Sequence, residues 1–374
     1  MCRAHRLLSS FVAAATFLTA QAVFAGAAPS VVKNVVVYHE AGRYGGWPAN
    51  YGIWSWGNEI VVGFASAYFQ LQKTDRHPYD RSRPEEPRLA RSLDGGETWS
   101  IEAPKSLLPP EQGGAPLSDL KTPMNFSDPN FALTLRYVDA NAGESRFWYS
   151  TDRGKTWRGA YRFPNLGQPG MQARTDYIVN GKHDAFVFVT AAKSNGKEGR
   201  VLCARTVDGG LTWRLVSYLG DESKGFSIMP SSVRLSRSTI ITATRVKEPP
   251  DATWIDLYKT ADNGASWHIL SRPARSAGGH SGNPPSMIRL RDGRICLTYG
   301  YRDKPYGIRA LLSSDEGKSW SPEIKLRTDG GSWDLGYTRT VERPDGKIVT
   351  IYYFTGSPTS ERYIGATIWN PGAK

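Results

Sequence analysis

Ser150-Thr-Asp152-Arg-Gly154-Lys-Thr156-Trp157 is one of five copies of a single phrase, Ser/Thr-x-Asp-x-Gly-x-Ser/Thr-Trp. The others run Ser92–Trp99, Thr206–Trp213, Thr260–Trp267 and Ser313–Trp320. Their aspartates, Asp94, Asp152, Asp208, Asp262 and Asp315, recur 53–58 residues apart, a period that marks an array of equivalent supersecondary units. Each phrase reads as a hairpin turn. The Asp carboxylate can accept backbone N–H groups across the turn, the Gly permits a positive φ, and the Trp opens the returning strand with its ring beneath the turn. Strand-like runs precede the turns, such as Arg146–Ser150, Arg200–Ala204 and Gly307–Leu312. Others lie further upstream, such as Ile60–Phe64, Ala185–Thr190, Thr239–Thr244 and Arg294–Tyr299. A unit of this length holds about four short strands, which is one blade of a β-propeller. Turn chemistry accounts for the whole phrase, so the five copies are read as structural staples.

Five boxed units and a sixth without a box, about residues 325–374, predict an all-β, six-bladed propeller, with seven blades as the alternative. The β-prone run Val31–Tyr38 is placed to complete the last blade and close the ring. Residues 29–374 are expected to form one propeller domain.

Residues 1–28 read as a secretory signal: Arg3, His5 and Arg6 precede the apolar run Leu7–Phe24, followed by small residues around Ala25 and Ala27. The mature protein is therefore expected to be secreted or periplasmic, with no membrane span. The formal charge of +12 falls only to +10 without Arg3 and Arg6, and the basic residues are scattered rather than clustered. Such a surface favours anionic partners, and no nucleic-acid motif accompanies it. Cys203 and Cys296 fall in apolar strands of non-adjacent blades, so two buried thiols are expected rather than a disulfide. The six His show no ligand spacing, so neither a metal nor a cofactor is implied.

The five phrases match the Asp-box, or BNR, signature, and by them the chain resembles the sialidase-like superfamily over nearly all of its mature length. The resemblance implies a six-bladed propeller whose innermost strands begin at the mouth of a central funnel. Counting back from each box places those starts at Gly46–Asn50, Asn125–Asn130, Gln172–Asp176, Ile228–Ser232, His280–Pro285 and Asp334–Arg339. These polar segments, punctuated by Pro or Gly, would converge on one rim.

Sialidases set three arginines around a substrate carboxylate, where the planar guanidinium fork pairs with both oxygens. By position in the blades, Arg43, Arg245 and Arg309 resemble that clamp. Tyr337 falls where the family keeps its tyrosine nucleophile, an exception to the two-carboxylate glycosidase scheme. The family's Arg-Ile-Pro phrase is replaced by Arg43-Tyr-Gly-Gly-Trp-Pro48. No aspartate occurs in Gly63–Tyr68, where the acid/base would follow the second strand of blade one. Met229-Pro-Ser-Ser232 stands where a glutamate would open blade four. Asp128, Asp176 and His280 are the substitute catalytic candidates, with Asp334 and Glu40 behind them. Arg174, Asn283 and Trp47 join the substrate-binding set.

The implied function is a secreted, monomeric exo-glycosidase acting on an acidic or polar glycan terminus. One alternative is a polysaccharide lyase, in which the arginines neutralise a uronate carboxylate while Tyr337 or His280 removes the α-proton. Another is a non-catalytic glycan-binding propeller, with Trp47, Tyr51, Trp54 and Trp56 as stacking platforms.

Overall fold

The computed structural model describes residues 27–73, 75–141 and 143–374. The secretory reading of residues 1–28 lies almost wholly outside them. Six antiparallel sheets follow one another along the chain, as blades of a β-propeller. Blade one is built from Arg43–Gly46 with Ile53–Trp56 innermost, then Glu59–Tyr68, Glu86–Ser92 and Ser100–Glu102. Blade two contains Ala132–Tyr137, Ser145–Ser150 and Arg158–Phe163. Blade three places Tyr177–Gly181 and Met171–Gln172 inside Asp184–Ala192, Glu198–Thr206 and Arg214–Tyr218. Blade four uses Phe226–Arg234, Ile240–Glu248, Ala252–Thr260 and His268–Ala274, and blade five uses Ser286–Arg289, Ile295–Tyr301, Gly307–Ser313 and Ile324–Arg327. Blade six runs Gly336–Glu342, Ile348–Phe354 and Tyr363–Asn370, and its outer strand is Ser30–Tyr38 from the start of the described chain. That strand pairs from Ser30↔Asn370 to Tyr38↔Ile364, so backbone hydrogen bonds close the ring.

The repeated phrases are turn staples. In the second copy Asp152 accepts from the Thr156 backbone and hydroxyl at 2.9 and 2.6 Å, while Gly154 N–H donates to Ser150 Oγ at 2.9 Å. The Trp157 indole donates back to the Gly154 carbonyl at 3.1 Å. Gly154 has φ +75°, and a Cβ there would meet the Trp157 ring at 3.2 Å, so both the backbone and the packing require glycine. All five staples join the last two strands of their blades, which in blade two, lacking an inner strand, are Ser145–Ser150 and Arg158–Phe163. Because the second strands end, and the third strands begin, at the funnel mouth, the staples lie on the opposite rim.

The core lies between blades. Val62 and Phe64 of blade one pack with Ile351, Tyr353 and Ile364 of blade six. Leu133 and Phe147 of blade two meet Val187 and Leu202 of blade three, and Ile241 and Leu257 of blade four meet Ile295 and Leu297 of blade five. Alternating apolar residues on each strand thus serve both neighbours. Each large side chain buried this way contributes roughly 1.5–3 kcal/mol. Cys203 and Cys296 are both buried and unpaired, each in a different interface.

Blade two departs from the sequence count. Asn125–Asn130 is a turn rather than the start of an inner strand. Its neighbours belong to the staple rim: Arg153 of the second phrase donates to the Asn130 carbonyl at 3.0 Å, and Met124 N–H donates to Gly209 O of the third at 2.8 Å. The inner side of blade two is covered instead by the short helix Pro48–Tyr51, whose Tyr51 carbonyl accepts from Thr134 Oγ1 and Thr175 Oγ1 at 2.8 and 2.7 Å.

Candidate active site

Tyr337 opens the inner strand of blade six with φ +49°, a left-handed conformation costly for a bulky residue. Asn283 holds it there. Its Oδ1 accepts the Tyr337 N–H at 2.7 Å and its Nδ2 donates to the Leu335 carbonyl at 2.9 Å. Gly336 must be glycine, since a Cβ would meet the Asn283 amide at 2.3 Å. Asn283 is fully buried and acts through the Tyr337 backbone, a positioning role in place of the substrate contact expected of it.

Three guanidiniums surround the phenol. Arg245 donates to the Tyr337 hydroxyl at 3.2 Å, and the Arg302 guanidinium carbon lies 5.6 Å from the ring centroid. Arg174 stands behind, donating to Glu198 at 2.8 Å and Asn50 at 3.0 Å. Burial opposes ionisation of the phenol, but Arg245, Arg302 and Arg174 outweigh it and lower its pKa below the ordinary value.

The arginines differ in what they bond. Arg245 donates to the Ser281 carbonyl, and Arg302 to the His280 carbonyl and Tyr353 hydroxyl. Among the described residues neither forms an ion pair with a carboxylate. Arg43 instead pairs with Glu86 at 3.1 Å, donates to Ser66 and lies over the Tyr68 ring. Arg309 is consumed by Glu323 at 3.1 Å and by the Arg327 and Pro305 carbonyls. The structure therefore gathers Arg245, Arg302 and Arg174 around Tyr337, and leaves Arg43 and Arg309 as internal braces.

Across from the phenol, the loop between the second and third strands of blade one brings Asp75 and His77 to the same cavity, of about 800 Å³. Asp75 pairs with His280 at 2.8 Å, and the His280 ring stacks on Trp333 at 4.4 Å and 7°. The His77 Nδ1 lies 2.6 Å from the Asp334 carboxylate. Asp334 also receives Arg362 at 3.0 Å and the Tyr353 hydroxyl at 2.7 Å. Burial opposes its charge, yet His77 and Arg362 hold its carboxyl well below the usual range, so it is a fixed anion that ties this loop to blade six.

The remaining sequence candidates lie elsewhere. Asp128 is on the staple rim, where its carboxylate caps the Asn130 N–H at 2.8 Å. Asp176 lies inside the channel, bonded to Ser232 at 2.7 Å. Ser232 pairs with Thr242, three positions before Arg245 on the same strand, about 10 Å further down. Burial raises the Asp176 carboxyl to about 7. Trp47 is buried among Tyr44, His77 and Tyr79, supporting the mouth from below. Glu40 accepts from the Tyr38 hydroxyl at 2.8 Å.

The BNR repeat-like domain family matches residues 85–350. The chain belongs to that family. Among solved structures, a Dyadobacter fermentans protein of unknown function shares the BNR repeat-like chain's fold at a TM-score of 0.71 and 21% identity, covering 91% of this chain and 99% of its own. A sialidase from Streptococcus pneumoniae aligns at a TM-score of 0.58 and 11% identity, over 90% of this chain and 70% of its own. An α-L-arabinanase from Penicillium chrysogenum aligns at 0.58 and 13%, over 91% and 98%. Comparison with curated proteins gives no match. At these identities the likenesses show the shared propeller fold.

Sequence reasoning missed Arg302, Asp75, His77 and Glu198. Arg302 follows the second strand of blade five, as Arg245 lies near the end of that of blade four, so strand position carried a signal. Asp75 was hidden because the second strand of blade one extends to Tyr68, so the loop that carries it lies beyond Gly63–Tyr68. Among the described residues no helix is long and apolar enough to cross a membrane.

Proposed function

We infer that this protein is an exported glycoside hydrolase acting on an acidic glycan terminus. The observation that carries the reading is Tyr337, set in a cavity beside Arg245 and Arg302, neither of which pairs with a carboxylate among the described residues. A guanidinium pair without counter-ions matches a substrate carboxylate by charge-assisted, forked hydrogen bonds. Tyr337, made more acidic by the same cations, stabilises or attacks the developing oxocarbenium centre. Asp75 is placed to protonate the leaving oxygen as the glycosidic C–O bond breaks, with His280 steadying its carboxyl, and then to deprotonate the incoming water.

A lyase is the second reading. No carboxylate hydrogen-bonds Tyr337 among the described residues, whereas His280 shares its cavity. Arg245 and Arg302 would neutralise a uronate carboxylate, one of Tyr337 and His280 would take the α-proton, and the other would protonate the departing oxygen. Incubation with acidic polysaccharides and aryl glycosides, including a sialoside, tests both. Reducing ends without new ultraviolet absorbance support the hydrolase, and absorbance from an unsaturated sugar supports the lyase. No turnover of any acidic glycan overturns both.

A further inference from the structure

A second cavity, of about 360 Å³, adjoins the first at the boundary of blades one and two; Arg81 lines both. Its volume is in the range of small-ligand sites. At its wall stands Arg136, in an unusual state. The Arg136 Nε is sealed from solvent without a hydrogen-bond partner, and Nη1 reaches only the Leu107 carbonyl, at 3.4 Å. The guanidinium lies 4.7 Å from the Tyr51 ring centroid and 5.3 Å from that of Trp148. Those rings orient the cation but do not neutralise it. No carboxylate among the described residues pairs with it, and burial pushes its pKa down to about 10. The side chain as a whole is half-buried, and a charge partly withdrawn from water without a counter-ion is stabilised where a ligand completes the pairing.

The other charges in the cavity favour an anion. Arg81 and Arg83 flank the opening, and Arg146 is already satisfied by Glu111 and Glu144. Glu111 is thereby consumed, and burial raises the pKa of Glu85, lessening its charge against an incoming anion. The next residue along the strand, Tyr137, lies against Arg174 at 4.5 Å, so the two cavities approach one another at the clamp.

We propose that this cavity is a second anion subsite, in which Arg136 binds the carboxylate or sulfate of a neighbouring sugar, so that the substrate is an oligosaccharide bearing at least two acidic groups. The proposal rests on the Tyr337 cavity holding the first acidic sugar. Arg136 is fixed by its two rings at one distance from the clamp, and this sets a preference for chain length.

Calorimetric titration of the Tyr337→Phe protein, which blocks turnover, tests it with uronate oligosaccharides of one to three residues, sulfated counterparts and neutral chains. Affinity is expected to rise about 10-fold or more between one and two or three acidic residues. Arg136→Met in the same background removes that gain, and Arg136→Lys, with charge but no fork, retains part of it. Whichever series gains more identifies the anion as carboxylate or sulfate. Thermal melting checks folding, and Arg136→Met is expected to melt no lower than its parent because it deletes an unpaired charge. A length gain that persists in Arg136→Met, or one that neutral chains share, overturns the proposal. Binding that depends on Arg136 but not on Arg245 or Arg302 upholds the subsite and overturns the Tyr337 reading. Absence of any binding overturns both.

Discussion

The Arg245 guanidinium of blade four donates at 3.2 Å to the Tyr337 hydroxyl of blade six, 92 residues further along the chain. The bond is made possible by Arg245 near the mouth end of a second strand and Tyr337 at the head of an inner strand. Tyr337→Phe removes the hydroxyl but keeps the ring and its edge contact with Tyr353 at 5.8 Å. Folding and melting temperature should be preserved while kcat falls by orders of magnitude. A fully active Tyr337→Phe protein would place the chemistry elsewhere in the cavity.

The positive field on Tyr337 has its own readout. Arg302→Met removes one cation beside the phenol, so the Tyr337 pKa should move up toward or beyond its ordinary value. Alkaline titration of tyrosinate absorbance, differenced against Tyr337→Phe, isolates this group. An unchanged midpoint in Arg302→Met would show that Arg302 does not act on the phenol.

The staples make a separable prediction about stability. Asp152→Ala deletes acceptors for the Thr156 backbone and hydroxyl, a loss comparable to that of a helix N-cap, and should cost about 1–2 kcal/mol. Denaturant melts measure this, and kcat per folded molecule should not change, because the turn lies on the rim opposite Tyr337. The same bonds fix a pH window. Hydrogen bonds from Ser319 lower the Asp315 carboxyl to about 2, beneath its unfolded value. Its contribution is therefore complete above about pH 4 and is lost as pH falls toward 2.

Asp176 has the opposite sign. Its folded pKa of about 7 exceeds that of the unfolded carboxyl, since burial outweighs the Ser232 hydrogen bonds and nearby Arg339. Its penalty is absent below about pH 4, grows as pH rises to 7 and is constant above. Asp176→Asn should therefore raise the melting temperature at pH 8 relative to the parent and leave it nearly unchanged at pH 4. An equal shift at both values would show that the carboxyl does not titrate in this window.

The propeller was legible because each staple is local: its donors and acceptors lie within four residues, so one phrase repeated five times declares the blades. The site was legible only in part. Tyr337 and Arg245 sit near a strand head and a strand end that can be counted from the boxes, and His280 lies in the turn ahead of the inner strand of blade five. Arg43 and Arg309 share those positions, yet Glu86 and Glu323 capture them, and such pairings arise from strand register rather than from the phrase. Asp128 was misplaced because blade two lacks a regular inner strand and the Pro48–Tyr51 helix takes that side. Asp75 and His77 come from a long loop whose path is set by distant partners, His280 and Asp334.

That difference between free and captured arginines yields the most discriminating test. Arg245→Lys and Arg302→Lys keep a positive charge but lose the planar fork, and each should raise KM for an anionic substrate about 10- to 100-fold, the loss of one charge-assisted bond. Melting temperature should fall little, because neither arginine holds a carboxylate among the described residues. Arg43→Lys and Arg309→Lys should show the reverse. Glu86 and Glu323 would lose geometry within packed blades, so stability should drop while KM of the folded fraction stays near the parent value. Four variants with kinetics and melts on each decide the assignment. If Arg309→Lys weakens substrate binding and Arg302→Lys does not, the clamp lies where the blade count first put it, and the unpaired state of Arg302 has another cause.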